Sequence, residues 1–189
     1  MKLLRDFTRF TIRPRLIVFD LDHTLWPLGV DQFVFKPPYH RRYVNLLKVS
    51  KDTTNEPLFK VFDSEQKEMQ SFPEVNQLLH VIKNELEIDM AAASRTEYPV
   101  GAHSLIDLFV WQQYFRFRQI YPGSKISHFG QFKKLVSLPY DQMLFFDDEE
   151  RNIVDVKELG VTCVKVDPEV GMNFDYLENG LDQFQKLHS

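Results

Sequence analysis

Short apolar runs alternate with segments of helical periodicity along this chain. The runs are apolar at successive positions, which is typical of strands that are buried on both faces of a parallel sheet. Five such strands are predicted, at 15–19, 88–93, 117–121, 143–146 and 161–166. Five helices are predicted to cover them, at 73–86, 99–109, 124–136, 149–159 and 174–187. This order predicts an α/β fold with a parallel sheet and helices on both of its faces.

One long segment, 26–72, does not follow this alternation. Its prolines and irregular pattern argue against a helix. Segments 30–36 and 58–63 are predicted to pair as a small antiparallel β flap, with 38–57 as the loop between them. Because the insertion is strand-like, a flap is expected in place of a large cap domain. The length of 189 residues predicts a single domain, 1–189.

Composition bears on partners and on location. The chain has 23 basic and 27 acidic residues, a net charge of -4, which gives no overall field that favours nucleic acid. No apolar run approaches the roughly 20 residues that cross a bilayer, so no membrane insertion is expected.

The single cysteine, Cys163, cannot form an internal disulfide, which favours a reducing compartment and a cytoplasmic location. The basic N-terminal arm, 1–14, is predicted to lie on the surface, with a mitochondrial presequence as the alternative.

Polar side chains stand where the predicted strands end. Ligands of such sheets bind at the carboxyl ends of the strands. Asp20 and Asp22 follow the first strand, Ser94 the second, Lys125 the third and Asp147 the fourth. Carboxylates on buried strands repel one another unless a cation lies between them. A ligand set made only of oxygens favours Mg²⁺ over Zn²⁺.

These side chains suit phosphoryl transfer, which needs a nucleophile, neutralised charge and a proton donor for the leaving oxygen. Asp20 is the predicted nucleophile, because carboxylates form aspartyl-phosphate intermediates. Asp22 is predicted to protonate the leaving oxygen as a general acid and then to activate water as a base. Ser94 is predicted to donate a hydrogen bond to the transferring group, and Lys125 to place a positive charge on it.

The ordered set of Asp, Ser, Lys and an acid pair resembles the haloacid dehalogenase (HAD) superfamily of phosphotransferases. The first motif, Asp-x-Asp-x-Thr, is at 20–24, and the later motifs would be Ser94, Lys125 and the pair at 147–148. The resemblance implies a Rossmann-like fold, phosphatase activity and Mg²⁺ as cofactor. Four local sequences also look like the magnesium-dependent phosphatase-1 family, at 19–27, 91–96, 121–125 and 145–149.

This resemblance implies a role for each acid. Asp20 would be the nucleophile and a Mg²⁺ ligand. Asp22 would be the acid/base, and its backbone carbonyl would also bind the metal. Asp147 would be the remaining carboxylate ligand. Asp148 would position either a metal-bound water or Lys125.

Further residues are expected around these. Asn152 lies one helical turn after the acid pair and is expected to support the metal ligands. Thr24 is expected to shape the loop of the first motif. Arg95 is expected either to contact the substrate or to pair with an acid on the surface. His23 and Glu150 depart from the family pattern, which has Tyr and Asn at these places, and this leaves the substrate preference open.

The resulting hypothesis is a Mg²⁺-dependent phosphomonoesterase that acts through an aspartyl-phosphate intermediate. Asp22 favours ester hydrolysis, because superfamily ATPases typically have Thr at this place. The resemblance implies phosphotyrosine proteins or sugar phosphates as the phosphorylated substrate and does not rank the two. The alternative is a non-catalytic phosphate-binding or scaffold protein of the same fold. The sequence does not indicate whether the protein is a monomer or an oligomer.

Overall fold

The structure is a computed structural model that describes residues 5–43 and 59–189. Within them the chain forms a parallel sheet of five strands and an antiparallel sheet of three. The strands are β1 (Leu16–Phe19), β2 (His40–Tyr43), β3 (Phe59–Phe62), β4 (Glu68–Met69), β5 (Asp89–Ser94), β6 (Phe115–Ile120), β7 (Met143–Asp147) and β8 (Thr162–Lys165). The helices are α1 (Val75–Asn84), α2 (Pro99–Leu108), α3 (Lys125–Val136), α4 (Glu150–Lys157) and α5 (Phe174–His188). The predicted α/β class is confirmed.

The central strand β1 shows why this sheet is covered on both faces. All four of its side chains are fully buried. Because successive side chains of a strand point to opposite faces, they enter two separate cores. Ile17 and Phe19 belong to the larger core, and Leu16 and Val18 to the smaller one. The uninterrupted apolar run in the sequence is therefore the signature of a strand between two layers of helices.

The sheet has the strand order β6-β5-β1-β7-β8, and all neighbours are parallel. The chain leaves β1 toward β5 and β6, and later returns to its other side with β7 and β8. The strand order thus reverses beside β1, and such a switch point leaves a crevice at the carboxyl ends of the two diverging strands. The topology places the ends of β1 and β7 at this crevice.

The insertion differs from its prediction. Residues 30–36 do not form a strand: Val30–Gln32 is a 3-10 helix, and Phe33 follows it with a left-handed φ of 51°. The partner of β3 is β2, which lies within the segment predicted as a loop, and β4 completes the small sheet. Residues 44–57 of that predicted loop lie outside the described residues.

The side chains of β2 explain why the apolar pattern missed it. Arg41 and Arg42 stack on the rings of Phe59 and Phe62 of β3, at 4.8 and 4.6 Å from the ring centroids. Cation–π contacts between the strands therefore contribute to the pairing. A prediction based on hydrophobic periodicity passes over such a strand.

The N-terminal arm packs on α5. Arg5 and Arg9 form exposed ion pairs with Glu178, at 3.0 and 3.1 Å. Phe7 and Phe10 are buried in the larger core. The described part of the arm is thus anchored by two aromatic rings, with its charges outside. No helix among the described residues has the length and apolar character needed to span a membrane.

Candidate active site

The ends of β1 and β7 bring Asp20 and Asp147 together. The two strands are parallel neighbours, and the backbone N–H of Asp20 donates to the carbonyl of Phe146 at 2.9 Å. Lys125 begins α3 and is fully buried. Its Nζ donates to Asp20 Oδ1 and to the carbonyl oxygen of Ala93, and lies 3.2 Å from Asp147 Oδ2. Three residues that are far apart in sequence therefore form one buried ionic cluster.

The charges of this cluster do not balance. Burial raises the pKa of the Asp20 carboxyl, Lys125 opposes that rise and Asp147 adds to it. Burial alone lowers the pKa of the Lys125 ammonium, but the two carboxylates outweigh it and the pKa is raised. Lys125 therefore stays charged and faces two carboxyl groups away from water. With both carboxyls ionised the cluster is negative, which raises the pKa of Asp20 and favours a further cation at this place.

Asp147 is also held from α4. Its Oδ1 accepts the backbone N–H of Glu149 at 2.8 Å. The side-chain amide of Asn152 donates to both Asp147 oxygens, at 3.1 and 3.0 Å. The amide oxygen of Asn152 in turn accepts from Arg95 at 3.0 Å. Asn152 thus contacts both Asp147, which it was expected to support, and Arg95.

The side chain of Asp148 contacts the first motif and not Lys125. Its Oδ1 accepts the hydroxyl of Thr24 at 3.4 Å. Asp148 was expected to position either a metal-bound water or Lys125. In the structure, Asp147 makes the contact with Lys125. The reason is that successive side chains at a strand end point in opposite directions. Burial, and then the neighbouring Asp147, raise the pKa of Asp148.

Asp22 has both of its oxygens engaged. The indole N–H of Trp26 donates to Oδ1 at 2.7 Å, and the backbone N–H of Val30 donates to Oδ2 at 3.0 Å. Burial raises the pKa of Asp22 to about 6, although these two hydrogen bonds act in the opposite direction. The carboxyl therefore titrates close to neutral pH, which suits a group that gives and takes a proton.

Sequence reasoning missed these contacts of Asp22. Trp26 is fully buried in the structure. Its position four residues after Asp22, just beyond the first motif, is a signal that could have suggested the hydrogen bond. Val30 offered no such signal, because its segment was predicted to be a strand.

Ser94 and Arg95 stand at the end of β5. The Ser94 hydroxyl oxygen accepts the backbone N–H of Thr96 at 3.2 Å, so it caps a turn and leaves its own proton free to donate. Arg95 is half-buried and donates to Asn152 rather than to a surface acid. Arg95 also lines the cavity described below.

A cavity of about 170 Å³ opens above this arrangement. Its lining includes Asp20, Asp22, Ser94 and Arg95, while Lys125 and Asp147 lie fully buried next to Asp20. The predicted residues thus converge on one cavity. The sequence did not predict these further lining residues: His23, Gly29, Asp31, Gln32, Thr96, Glu149 and Arg151.

The possible ligands of a metal ion are few. Among the residues that the structure describes, no cluster of three His, Cys, Asp or Glu side chains is placed to bind a metal. Asp20 and Asp147 are close together, but the side chain of Asp22 is bound to Trp26 and Val30. The predicted third ligand is thus the backbone carbonyl of Asp22, as the resemblance implies, and not its carboxylate.

The chain is similar in sequence to known phosphatases and hydrolases. The profile of the family described as Acid Phosphatase matches residues 12–187. Magnesium-dependent phosphatase 1 of Homo sapiens is 44% identical over 176 residues, covering 93% of this chain and 90% of the human protein. A HAD-like hydrolase superfamily protein of Schizosaccharomyces pombe is 30% identical, over 88% of this chain and 94% of its own length.

The fold has counterparts among solved structures. A HAD-superfamily hydrolase from Ehrlichia chaffeensis superposes with a TM-score of 0.56 and 16% identity, over 91% of this chain and 98% of that protein. At this identity the likeness concerns the fold, which is the HAD-type Rossmann-like arrangement of β1, β5, β6, β7 and β8. With the profile match over nearly the whole length, these findings show that the chain belongs to the acid phosphatase family.

Proposed function

We propose that this protein is a Mg²⁺-dependent phosphomonoesterase that forms an aspartyl-phosphate on Asp20. One observation carries the proposal: Asp20 and Asp147 share the buried Lys125 at a cavity that Asp22 and Ser94 also line. The name of the human relative, Magnesium-dependent phosphatase 1, supports the same activity and cofactor. A non-catalytic binding protein would not need a carboxylic acid such as Asp22 beside the nucleophile.

The donor set fits Mg²⁺. The cluster carries two carboxylates against one ammonium, and its candidate ligands are all oxygens. Mg²⁺ usually binds one or two protein carboxylates and completes its shell with water and substrate phosphate. Asp20, Asp147 and the backbone carbonyl of Asp22 would hold the ion. When bound, Mg²⁺ supplies neutralisation of the charge on the transferring phosphoryl group.

Asp20 and Asp22 divide the covalent chemistry. Lys125 holds Oδ1 of Asp20, which leaves Oδ2 to attack phosphorus. The new bond joins Asp20 to phosphorus, the bond from phosphorus to the leaving oxygen breaks, and that oxygen takes its electron pair and a proton from Asp22. Water then attacks the phosphorus of the aspartyl-phosphate and gives a proton back to Asp22. This second step releases inorganic phosphate and restores the Asp20 carboxylate.

Two residues bind the phosphoryl group in this proposal, and a third acts on it through charge. Ser94 donates its free hydroxyl proton, and Arg95 presents the guanidinium donors that Asn152 does not use. Lys125 contributes a fixed positive charge from below Asp20. A planar guanidinium suits the oxygens of a phosphate, and Asn152 keeps it in place.

The test is hydrolysis of p-nitrophenyl phosphate by the purified protein with Mg²⁺. We expect EDTA or Asp20→Asn to abolish turnover, because an amide does not form the acyl phosphate. Asp141→Asn, at an exposed residue away from the cavity, is the matched control and is expected to keep full activity. Activity that persists in EDTA or in Asp20→Asn would reject the mechanism. A screen of phosphotyrosine peptides against sugar phosphates then decides between the two substrate classes.

A further inference from the structure

The acid/base residue is fixed by a tryptophan. Trp26 Nε1 donates to Asp22 Oδ1 at 2.7 Å, while the backbone of Val30 holds Oδ2 at 3.0 Å. A carboxyl group with a donor on each oxygen has its plane fixed. The indole is fully buried, so the donor on Oδ1 comes from a ring that is packed within the core.

Trp26 is in turn held by a second tryptophan. The rings of Trp26 and Trp111 are stacked, with centroids 5.7 Å apart and planes at 9°. Phe109 closes the stack at 5.0 Å from Trp111 and 6.2 Å from Trp26. A stack of three large rings restricts the rotation of each member, so the direction of the Trp26 N–H depends on where Trp111 lies.

Trp111 itself has a polar anchor outside the catalytic motifs. Its Nε1 donates to Asn76 Oδ1, on the first turn of α1, at 2.7 Å. A chain of contacts therefore runs from α1 through Trp111 and Trp26 to Asp22. Each indole has a single N–H, and each N–H is used once.

We propose that Trp26 is a positioning residue for Asp22, and that Trp111 and Asn76 act by holding Trp26. This rests on the proposed function, because it assumes that Asp22 protonates the leaving group. The Trp26 hydrogen bond holds one oxygen of Asp22 and so aims the acid at the leaving oxygen of a substrate in the cavity. If the indole N–H is absent, the carboxyl is free to rotate about Val30 and transfers its proton less efficiently.

The experiment compares two aryl esters that differ in their need for an acid. Phenyl phosphate needs a proton on its leaving oxygen, whereas 2,4-dinitrophenyl phosphate releases a stable anion unaided. The ratio kcat/KM is measured, because it covers the steps up to departure of the leaving group. For Trp26→Phe we expect a loss of about tenfold on phenyl phosphate and less than about twofold on the dinitrophenyl ester. Asp22→Asn removes the acid altogether and therefore sets the largest difference expected between the losses on the two esters.

Two variants of Asn76 test the rest of the chain of contacts. Asn76→Leu removes the acceptor for Trp111 and is expected to lose about threefold on phenyl phosphate alone. Asn76→Asp keeps an oxygen that accepts the Trp111 N–H, and this variant is expected to retain wild-type kinetics. The protein contains only two tryptophans, Trp26 and Trp111, so its intrinsic fluorescence reports directly on the stack in each variant.

The outcomes separate this inference from the proposed function. Wild-type protein that hydrolyses neither ester, or an Asp22→Asn variant without selectivity, refutes the proposed function and this inference with it. If Asp22→Asn is selective but Trp26→Phe loses activity equally on both esters, or on neither, the positioning role alone is refuted. Should Trp26→Phe fail to fold, Asn76→Leu decides: selective loss supports the inference, and any other pattern overturns it.

Discussion

Replacement of Lys125 by methionine tests the buried ionic cluster. Methionine has a similar length and no charge, so Lys125→Met leaves the carboxylates of Asp20 and Asp147 facing each other without their cation. Lys125 and Asp147 are fully buried and Asp20 is 7% exposed, so water cannot screen the repulsion. Asp20 also loses its donor, and the carbonyl of Ala93 loses its partner.

The expected cost is about 3–5 kcal/mol of unfolding free energy, the range found when one partner of a buried ion pair is removed. Lys36→Met is the matched control, because Lys36 pairs with Glu65 at 2.6 Å while both side chains are 60% exposed. An exposed pair contributes about 0–1 kcal/mol. The two variants make the same substitution, one in a buried cluster and one in an exposed pair.

Urea unfolding in EDTA measures both variants, so that no divalent ion compensates for the missing charge. The double variant Lys125→Met with Asp147→Asn removes one of the two uncompensated carboxylates, and we expect it to be more stable than Lys125→Met alone. A cost below about 1 kcal/mol for Lys125→Met, or a double variant less stable than the single one, would refute the argument from buried charge.

Two further predictions concern stability. The ring of His128 donates from Nε2 to the carbonyl of Tyr121 at 3.1 Å, and its Nδ1 has no hydrogen-bond partner among the described residues. Burial, followed by the charge of Lys125, lowers the pKa of His128 to about 4. As the pH falls from about 6.5 toward that value, His128 becomes protonated in the unfolded chain but stays neutral in the native state. The free energy of unfolding should therefore fall as the pH is lowered. Urea titrations at pH 7 and 4.5 should show a smaller fall for His128→Gln, and equal falls would contradict this. Phe10→Ala should cost about 3–5 kcal/mol, because the ring is fully buried. Leu187→Ala, at a side chain 70% exposed, should stay within about 0.5 kcal/mol, and similar costs for both would show that the arm is not part of the core.

Local sequence was sufficient for the elements of the central sheet. The run 16–19 is apolar without a break, and such a strand is stable only between two layers. The start of α3 was equally readable, since Ser124 caps it by accepting the backbone N–H of Ser127. The spacing of the acids and of Lys125 relative to strand ends then indicated the site, because parallel strands end at one edge.

The insertion shows where this reasoning fails. Val30–Gln32 is a 3-10 helix whose position depends on distant contacts: Asp31 accepts the backbone N–H of Glu97 at 3.0 Å, and Val30 packs closely against Gly101. Such contacts leave no trace in the apolar pattern of the segment itself. They also place Asp31 and Gln32 in the wall of the cavity, where the sequence predicted a strand of the flap.

The sequence by itself indicated which residues would gather at one edge of the sheet, because acid, hydroxyl and amine groups follow buried strands at readable positions. Only the tertiary structure decided how each one is held: Asp147 rather than Asp148 contacts Lys125, and Trp26 with Val30 binds Asp22. The physical reason is that strand and helix propensities act over a few residues. The orientation of a buried side chain depends instead on charges and donors supplied by elements that are remote in the chain.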